Sequence, residues 1–261
     1  MRGSLLLLLG LIASLLLPTK ASSSTTVLDA MTDAFPPSPC LPNSGQRVIF
    51  RGGFCDGTAC PPDPMVPPTI DCDQVAQSGL PGAYAPFRFA SVYQDPTWTG
   101  PISARVVPGS THLQVATSAP VDVSFLLLSY SNGTANWNLD LSTALEFHFT
   151  LEGDVSPALP LTVDLTLYDM DAPIDGENAT IRLTLVAPGP VSLPLTSFTR
   201  SPSFDPSTVD EILFFFMNCG DETCPGPYPS RQFAVGPISI TGDLPTASRS
   251  TTWGQLKARY R

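Results

Sequence analysis

Apolar and polar residues alternate along much of the chain, and this pattern predicts a protein built almost entirely from β-strands. The segments 145–151 and 161–168 alternate strictly, so their odd-numbered apolar residues, beginning with Leu145 and Leu161, are expected on a buried face. Further segments have strand character: 87–93, 102–107, 112–117, 121–129, 180–186 and 233–242. Pro and Gly separate these segments, and the 29 prolines argue against helices. The expected fold is all-β, an antiparallel β-sandwich.

Residues 203–216, with the sequence SFDPSTVDEILFFF, place acidic and hydroxyl side chains directly before an apolar run. The acids are either the edge of an active site or the turn in front of a buried strand. Ser203, Asp205 and Ser207-Thr208 are residue types whose side chains accept backbone N–H bonds in turns. We therefore interpret the acids as structural and Ile212–Phe216 as a buried strand.

The first 21 residues have the pattern of a signal peptide. Met1-Arg2 is followed by an apolar stretch of about 16 residues and then by a small residue, Ala21, at the expected cleavage position. A transmembrane anchor is the alternative, but the stretch is shorter than the roughly 20 residues that a span needs. The sequence predicts an exported protein, secreted or held at the cell surface, without a membrane span after cleavage.

Composition divides the rest of the chain into three parts. Residues 22–243 are predicted to form a single β-sandwich domain with a Cys- and Pro-rich insertion at about 36–76. Residues 244–252 are a Ser/Thr-rich linker, and residues 253–261 are a basic tail with apolar residues at helix-like spacing. We hypothesise that the tail docks to export or surface machinery; the alternative is an end without a role.

All six cysteines lie in the exported part, and an oxidising compartment favours three disulfide bonds. Six cysteines allow 15 pairings, but two short spacings favour two local bridges, with the third bridge enclosing the first of them. The expected pairs are Cys55–Cys60, Cys219–Cys224 and Cys40–Cys72. A zinc site is the alternative, although the spacings are not CxxC and no histidine lies near a cysteine pair in the sequence.

Charge argues against one class of partner. The formal net charge is −10, and all 23 acidic residues lie between Asp29 and Asp243, where only seven arginines accompany them. A surface this acidic repels phosphate backbones, so nucleic acid is not an expected partner.

Several turn and core motifs in the C-terminal half of the chain resemble those of one known family. Leu193-Pro194 is followed by Phe198, the stretch 204–210 begins with Phe-Asp and ends with Val-Asp, and the strand 212–216 precedes a last strand that ends at Gly242. Together these motifs resemble the carbohydrate-binding-module type of jelly-roll domain, the galactose-binding-like β-sandwich of exported bacterial proteins.

The resemblance covers most of residues 27–243 and implies a jelly-roll sandwich that binds carbohydrate without cleaving it. Its motifs are turns and core positions, so they define the fold more closely than the ligand. A surface-structural or protein-adhesion domain with no small ligand is the alternative function. A glycan hydrolase is the least supported one.

The sequence lacks the residue patterns that would indicate an enzyme. Glycosidases need two carboxyl groups about 5–10 Å apart, and jelly-roll glucanases place them in a Glu-x-Asp-x-x-Glu string that does not occur here. The nearest approach is Glu146 and Glu152, which flank His148 and are interpreted as a solvated sheet face. The chain also has no G-x-S-x-G nucleophile elbow.

Sugar binding by such sandwiches uses exposed aromatic side chains as stacking surfaces. Trp98 lies in a polar loop and is the first candidate. Tyr93 ends its strand, and Tyr168 ends the polar side of another strand beside an acidic loop, so both are further candidates.

That acidic loop is a candidate calcium site. Asp169, Asp171, Asp175 and Glu177 lie within nine residues, and calcium takes six to eight oxygen ligands. The spacing is not that of an EF-hand, but the family resemblance also implies a structural calcium. The alternative is a plain acidic hairpin loop with no cofactor.

Overall fold

The structure, a computed structural model, confirms the all-β prediction. The residues that it describes are 24–35, 49–51, 74–80, 84–94, 102–106, 109–117, 124–133, 137–169, 177–218 and 229–244. Apart from one 3-10 turn at Leu195–Ser197, the regular elements of these residues are all strands.

The strands are numbered in chain order. They are β1 (Thr25–Asp29), β2 (Ile49–Arg51), β3 (Gln74–Ser78), β4 (Phe87–Gln94), β5 (Ile102–Val106), β6 (Leu113–Thr117), β7 (Ser124–Ser131), β8 (Ala144–Gly153), β9 (Leu161–Asp169), β10 (Glu177–Leu185), β11 (Gly189–Pro194), β12 (Thr199–Arg200), β13 (Glu211–Met217), β14 (Arg231–Val235) and β15 (Ile238–Gly242).

The strands form two antiparallel sheets. Sheet I has the order β1-β15-β8-β14-β6-β5-β2, and β11 also pairs with β8. Sheet II has the order β12-β10-β9-β13-β7-β4-β3. Most neighbours in each sheet come from distant parts of the chain, the exceptions being β3–β4, β5–β6 and β9–β10. The predicted antiparallel sandwich is confirmed.

The core lies between the sheets and is rich in aromatic side chains. Phe147 and Phe149 of β8 meet Phe214 of β13 edge to face, with ring centroids 6.0 and 6.2 Å apart, and Phe149 meets Phe216 at 5.7 Å. Each such pair adds about 0.5–1.5 kcal/mol beyond the burial of its area. Phe214 and Phe216 are almost fully buried. The predicted buried strand Ile212–Phe216 is confirmed except at Phe215, which is half-buried.

Residues 24–35, here called the N-terminal strap, connect the two sheets. The strap pairs with β15 in sheet I, and Ser24 exchanges hydrogen bonds with Gly242 there: Gly242 N donates to Ser24 O at 3.0 Å, and Ser24 Oγ donates to Gly242 O at 2.5 Å. Further along the strap, buried Asp29 forms an ion pair with Arg88 of sheet II, with Nη1 and Oδ2 2.7 Å apart. The strap thus joins one sheet through its backbone and the other through a carboxylate.

Arg88 is fully buried, and its guanidinium group donates to several further partners. Nε and Nη2 donate to Gln77 Oε1 at 3.1 and 2.5 Å, and Nη2 also donates to the carbonyl oxygen of Asp33 at 2.9 Å. The ring of Phe35 lies 5.3 Å from Cζ. A charge can be buried without a large penalty only when its hydrogen-bonding groups are satisfied in this way.

Both carboxylate oxygens of Asp29 also accept hydrogen bonds. Its Oδ1 accepts the backbone N–H of Met31 at 2.7 Å, and its Oδ2 accepts the hydroxyl of Tyr130 at 3.0 Å. Met31 has a φ of 54°, an unusual left-handed conformation for a residue other than glycine. Burial, and then the negative charge of Asp29, raise the pKa of Tyr130 well above its usual value.

The prediction that Leu145 of β8 lies on the buried face is wrong. Leu145 is 56% exposed. The register between β8 and β15 shifts here, because Thr241 pairs with Glu146 but Gly242 pairs with Ala144, which leaves Leu145 as the extra residue of a β-bulge. Gly242 has a φ of 136°, and a Cβ at this position would lie 2.5 Å from a backbone oxygen, so the bulge requires glycine.

The Cys- and Pro-rich insertion contributes more regular structure than the sequence indicated. β2 lies within it and pairs with β5 at an edge of sheet I, and β3, which begins at its end, pairs with β4 at an edge of sheet II. The six cysteines, the signal peptide and the basic tail all lie outside the described residues, so their roles stay predictions. None of the described residues belongs to a helix long and apolar enough to cross a membrane.

Replacing Asp29 is expected to destabilise the fold strongly, because Arg88 would keep its charge in a buried site without a counter-ion. Asp29→Asn should lower the free energy of unfolding, measured by urea denaturation, by about 3–5 kcal/mol. Asp164→Asn is the control, because it breaks an equally short pair whose arginine, Arg182, is 44% exposed; such pairs contribute about 0.2–1 kcal/mol. Equal losses in both variants would contradict this role for the buried pair.

Candidate functional site: the outward face of sheet II

The outward face of the central strands of sheet II combines aromatic, aliphatic and polar side chains, and we call it the platform. Alternation defines this face along β9. Leu165 and Leu167 are buried in the core, whereas Asp164, Thr166 and Tyr168 point away from it.

The strand register arranges the platform in three lines that run across the strands, each named after its residue on β9. The Tyr168 line contains Asn178, Tyr168, Glu211, Ser131 and Phe87. The Thr166 line contains Thr180, Thr166, Leu213, Ser129 and Phe89. The Asp164 line contains Arg182, Asp164, Phe215, Leu127 and Ser91. The central members of the Thr166 line are less than a tenth exposed, so the two outer lines flank a sheltered centre.

Tyr168 is the aromatic centre of its line. Its side chain is half-buried, and its cross-strand neighbours are Asn178 on β10 and Glu211 on β13. Ser129 Oγ donates to Glu211 Oε1 at 2.5 Å and so holds the carboxylate in place. Burial and, secondly, the negative charge of Glu211 raise the pKa of Tyr168.

Arg182 and Asp164 form a two-point ion pair in the opposite outer line. Arg182 Nε donates to Asp164 Oδ1 and Nη2 donates to Oδ2, both at 2.7 Å. Such a pair fixes the plane of the guanidinium group. It also neutralises the only cation among the described members of the three lines, and Phe215 lies half-buried beside it in register.

These features suit binding more than bond-making. A half-buried aromatic ring beside a few fixed hydrogen-bonding groups is the usual composition of a ligand site. Both carboxylates of the three lines are already engaged, Glu211 by Ser129 and Asp164 by Arg182.

Of the three predicted stacking residues, the structure shows Tyr168 on the platform. The backbone of Tyr93 belongs to β4 and pairs with Phe125. The structure does not describe the side chain of Tyr93, and Trp98 lies outside the described residues. A shared face for all three aromatic residues therefore stays a prediction.

Two of the four predicted calcium ligands lie opposite each other behind the platform. Asp169 and Glu177 pair across the β9–β10 hairpin and are 4% and 6% exposed. Thr208 Oγ1 donates to Asp169 Oδ2 at 3.0 Å, whereas Glu177 Oε2 accepts no hydrogen bond from any residue that the structure describes. Asp171 and Asp175 lie outside the described residues, and within those described no group of three or more His, Cys, Asp or Glu side chains could hold a metal ion.

The outward face of sheet I carries a hydrogen-bonded cluster, and its residues are partly exposed, as predicted for a solvated face. Ser192 Oγ lies 2.8 Å from His148 Nδ1 and 3.0 Å from Glu146 Oε2, and His148 Nε2 lies 3.1 Å from Glu146 Oε1. In a catalytic triad the serine donates to the imidazole and the carboxylate holds the other ring nitrogen. Glu146 does contact the other ring nitrogen here, but its Oε2 also accepts from Ser192, so the serine proton is not committed to His148 and the cluster is a surface network.

The acidic segment before β13 is structural, as predicted. Asp205 Oδ1 accepts the backbone N–H of Ser207 at 2.8 Å and its hydroxyl at 2.7 Å, and these bonds lower the pKa of Asp205. Asp210 is 2% exposed and accepts a backbone N–H bond at 3.0 Å. Sequence reasoning treated Glu211 only as the boundary of the strand, although the alternation along β13 could have placed it on the outward face.

No protein-family model and no curated protein matches this chain significantly. Similar solved structures include the family 11 carbohydrate-binding module from Clostridium thermocellum in complex with a β-1,3-1,4-mixed-linked tetrasaccharide, with 16% identity over 67% of this chain and 98% of that chain and a TM-score of 0.38. The family 30 module of a cellulosomal cellulase from the same organism has 18% identity over 58% and 82% of the chains, with a TM-score of 0.34. An agarase has 9% identity over 59% and 24%, with a TM-score of 0.38. These identities and TM-scores make all three likenesses distant.

Removing the charge of Glu211 is expected to lower the pKa of Tyr168. In Glu211→Gln the charge that disfavours the phenolate is gone, while the burial that also raises this pKa remains. Ultraviolet absorbance titration measures the change, with Tyr168→Phe in each background to subtract the other tyrosines. Glu152→Gln, on the far face of sheet I, is the control and should leave the Tyr168 pKa where it is; no change in Glu211→Gln would contradict the proximity of the two side chains.

Proposed function

We propose that this protein is an exported, non-catalytic carbohydrate-binding module whose glycan lies on the platform. The observation that carries the proposal is the Tyr168 line. A half-buried phenol ring stands in register between the amide of Asn178 and the carboxylate of Glu211.

This arrangement matches the chemistry of a sugar. A pyranose ring presents an apolar C–H face, which stacks on an aromatic ring, and equatorial hydroxyls, which need donors and acceptors at its edge. Tyr168 offers the stacking surface, and Asn178 and Glu211 offer both kinds of hydrogen-bonding group. Ser129 holds Glu211 before the ligand arrives, so binding loses little entropy in ordering that carboxylate.

The length of the line favours a chain of sugars over a single ring. Tyr168 on β9 and Phe87 on β4 are three strand spacings apart, which is about 14 Å. Glu211 and Ser131 occupy the strands between them. Trp98 and Tyr93 are proposed to extend the stacking surface.

Replacing the stacking residue is expected to weaken glycan binding. Tyr168→Ala should reduce the affinity for the bound polysaccharide about tenfold or more, since a stacked aromatic ring contributes roughly 1.4 kcal/mol or above. A polysaccharide panel that includes mixed-linked β-1,3-1,4-glucan, read by affinity electrophoresis and calorimetry, measures this change.

His148→Ala is the matched control, because it removes a ring from the opposite sheet and should leave affinity unchanged. If the protein binds none of the polysaccharides in the panel, the result would contradict the proposal and favour the surface-structural or adhesion alternative. Release of reducing sugar from a panel member, lost in Glu146→Gln, would instead revive the hydrolase.

We also propose that the protein binds calcium at Asp169 and Glu177. The buried, unsatisfied Glu177 Oε2 supports this proposal, because a buried charge without a partner is costly and calcium prefers carboxylate oxygens. The ion would neutralise two carboxylates that face each other across the hairpin. Asp171 and Asp175 are proposed as further ligands.

Calcium is therefore expected to stabilise the protein. At about one hundred times the dissociation constant, it should raise the melting temperature by roughly 5–10 °C, and Glu177→Gln should lose this shift. Glu152→Gln, an exposed carboxylate on sheet I, should keep it. A melting temperature that does not respond to calcium would contradict the site.

A further inference from the structure

We infer that a divalent cation at the Asp169–Glu177 pair controls the affinity of the platform for its ligand. The inference rests on the proposed glycan and calcium functions and adds a coupling between them. Its basis is that the two sites lie back to back on the same two strands.

Neighbouring residues of each strand serve the two sites. On β9, Tyr168 faces the platform and Asp169 faces the interior; on β10, Asn178 faces the platform and Glu177 faces the interior. The Tyr168–Asn178 and Asp169–Glu177 pairs are therefore consecutive rungs of one hairpin. Successive side chains of a strand share a peptide unit and point to opposite faces, so the position of the acids determines the position of the ring and the amide.

Without a cation, the carboxylate pair opposes the register that the platform needs. Directly opposite residues have Cβ atoms about 4.5–5.5 Å apart, and like charges placed there repel. Asp169 and Glu177 are too buried for water to screen this repulsion well. Separating the strands at this end of the hairpin relieves the repulsion, but it also moves Asn178 away from Tyr168. A bound cation reverses the interaction and closes the hairpin.

The segment before β13 extends the same coupling to the third strand. Thr208 Oγ1 donates to Asp169 Oδ2 at 3.0 Å, and the backbone N–H of Asp210 donates to the carbonyl oxygen of Tyr168 at 2.8 Å. A displaced Asp169 therefore loosens the segment that leads directly into Glu211. Asn178, Tyr168 and Glu211 therefore all depend on the occupied site.

Hydrogen exchange of the full-length protein tests the first half of this inference without any glycan. Calcium chloride, compared with EDTA, should slow amide exchange at the Tyr168–Asn178 rung fivefold or more. The Thr162–Thr184 rung at the far end of the same hairpin is the internal control and should not change. In Glu177→Gln the effect at the first rung should disappear.

Glycan affinity tests the second half. The polysaccharide retained in the panel should bind at least fivefold more weakly in EDTA than in calcium, within the usual range for coupled sites. Linkage requires that the glycan raise the calcium affinity by the same factor. Glu177→Gln should bind the glycan with an affinity that no longer depends on calcium, whereas Glu152→Gln should keep the full dependence.

The outcomes separate this inference from the function on which it rests. Equal glycan affinity with and without calcium would overturn the coupling and leave carbohydrate binding intact. Failure to bind any polysaccharide at saturating calcium would overturn the proposed function itself. Exchange at the Tyr168–Asn178 rung that does not respond to calcium would overturn the control of the platform by the cation, whatever the glycan result.

Discussion

The ion pair between Asp29 and Arg88 places a full positive and a full negative charge inside the sandwich. Neither charge is tolerated there unless its remaining atoms are hydrogen-bonded. Gln77 of β3 and Tyr130 of β7 meet this requirement together with the backbone of the strap. A single electrostatic constraint therefore fixes the relative positions of the strap, β3, β4 and β7.

The same buried contact also fixes the register of the strands that carry the platform. Arg88 and Tyr130 are directly opposite each other in the register of β4 and β7. A slip of two residues would keep an apolar alternation satisfied, but it would separate Tyr130 from Arg88 and Asp29. Because the outward neighbours, Phe87 opposite Ser131, are one residue away on the same strands, the buried polar contact holds the platform lines in alignment.

Much of the fold follows from period-two alternation, which predicted most strands, whereas Ile212–Phe216 was predicted from its continuous apolar run. It failed at Leu145, because a bulge adds one residue without a trace in the pattern. In residues 87–89 the pattern alone favours two buried phenylalanines, yet the structure buries Arg88 between them, since its partner Asp29 lies 59 residues away in the chain. Tyr168 was predicted from its strand end, whereas Asn178 and Arg182 join the platform only through pairing register, which no local pattern encodes.

The seam between Ser24 and Gly242 joins residues 218 positions apart. Contacts this distant form slowly, because the chain must lose much of its freedom before they are made. β1 can pair with β15 only after all the intervening strands have been synthesised. In a chain that emerges N-terminus first, the strap appears before the other described strands, yet it can pair only after β15, the last of them, has emerged.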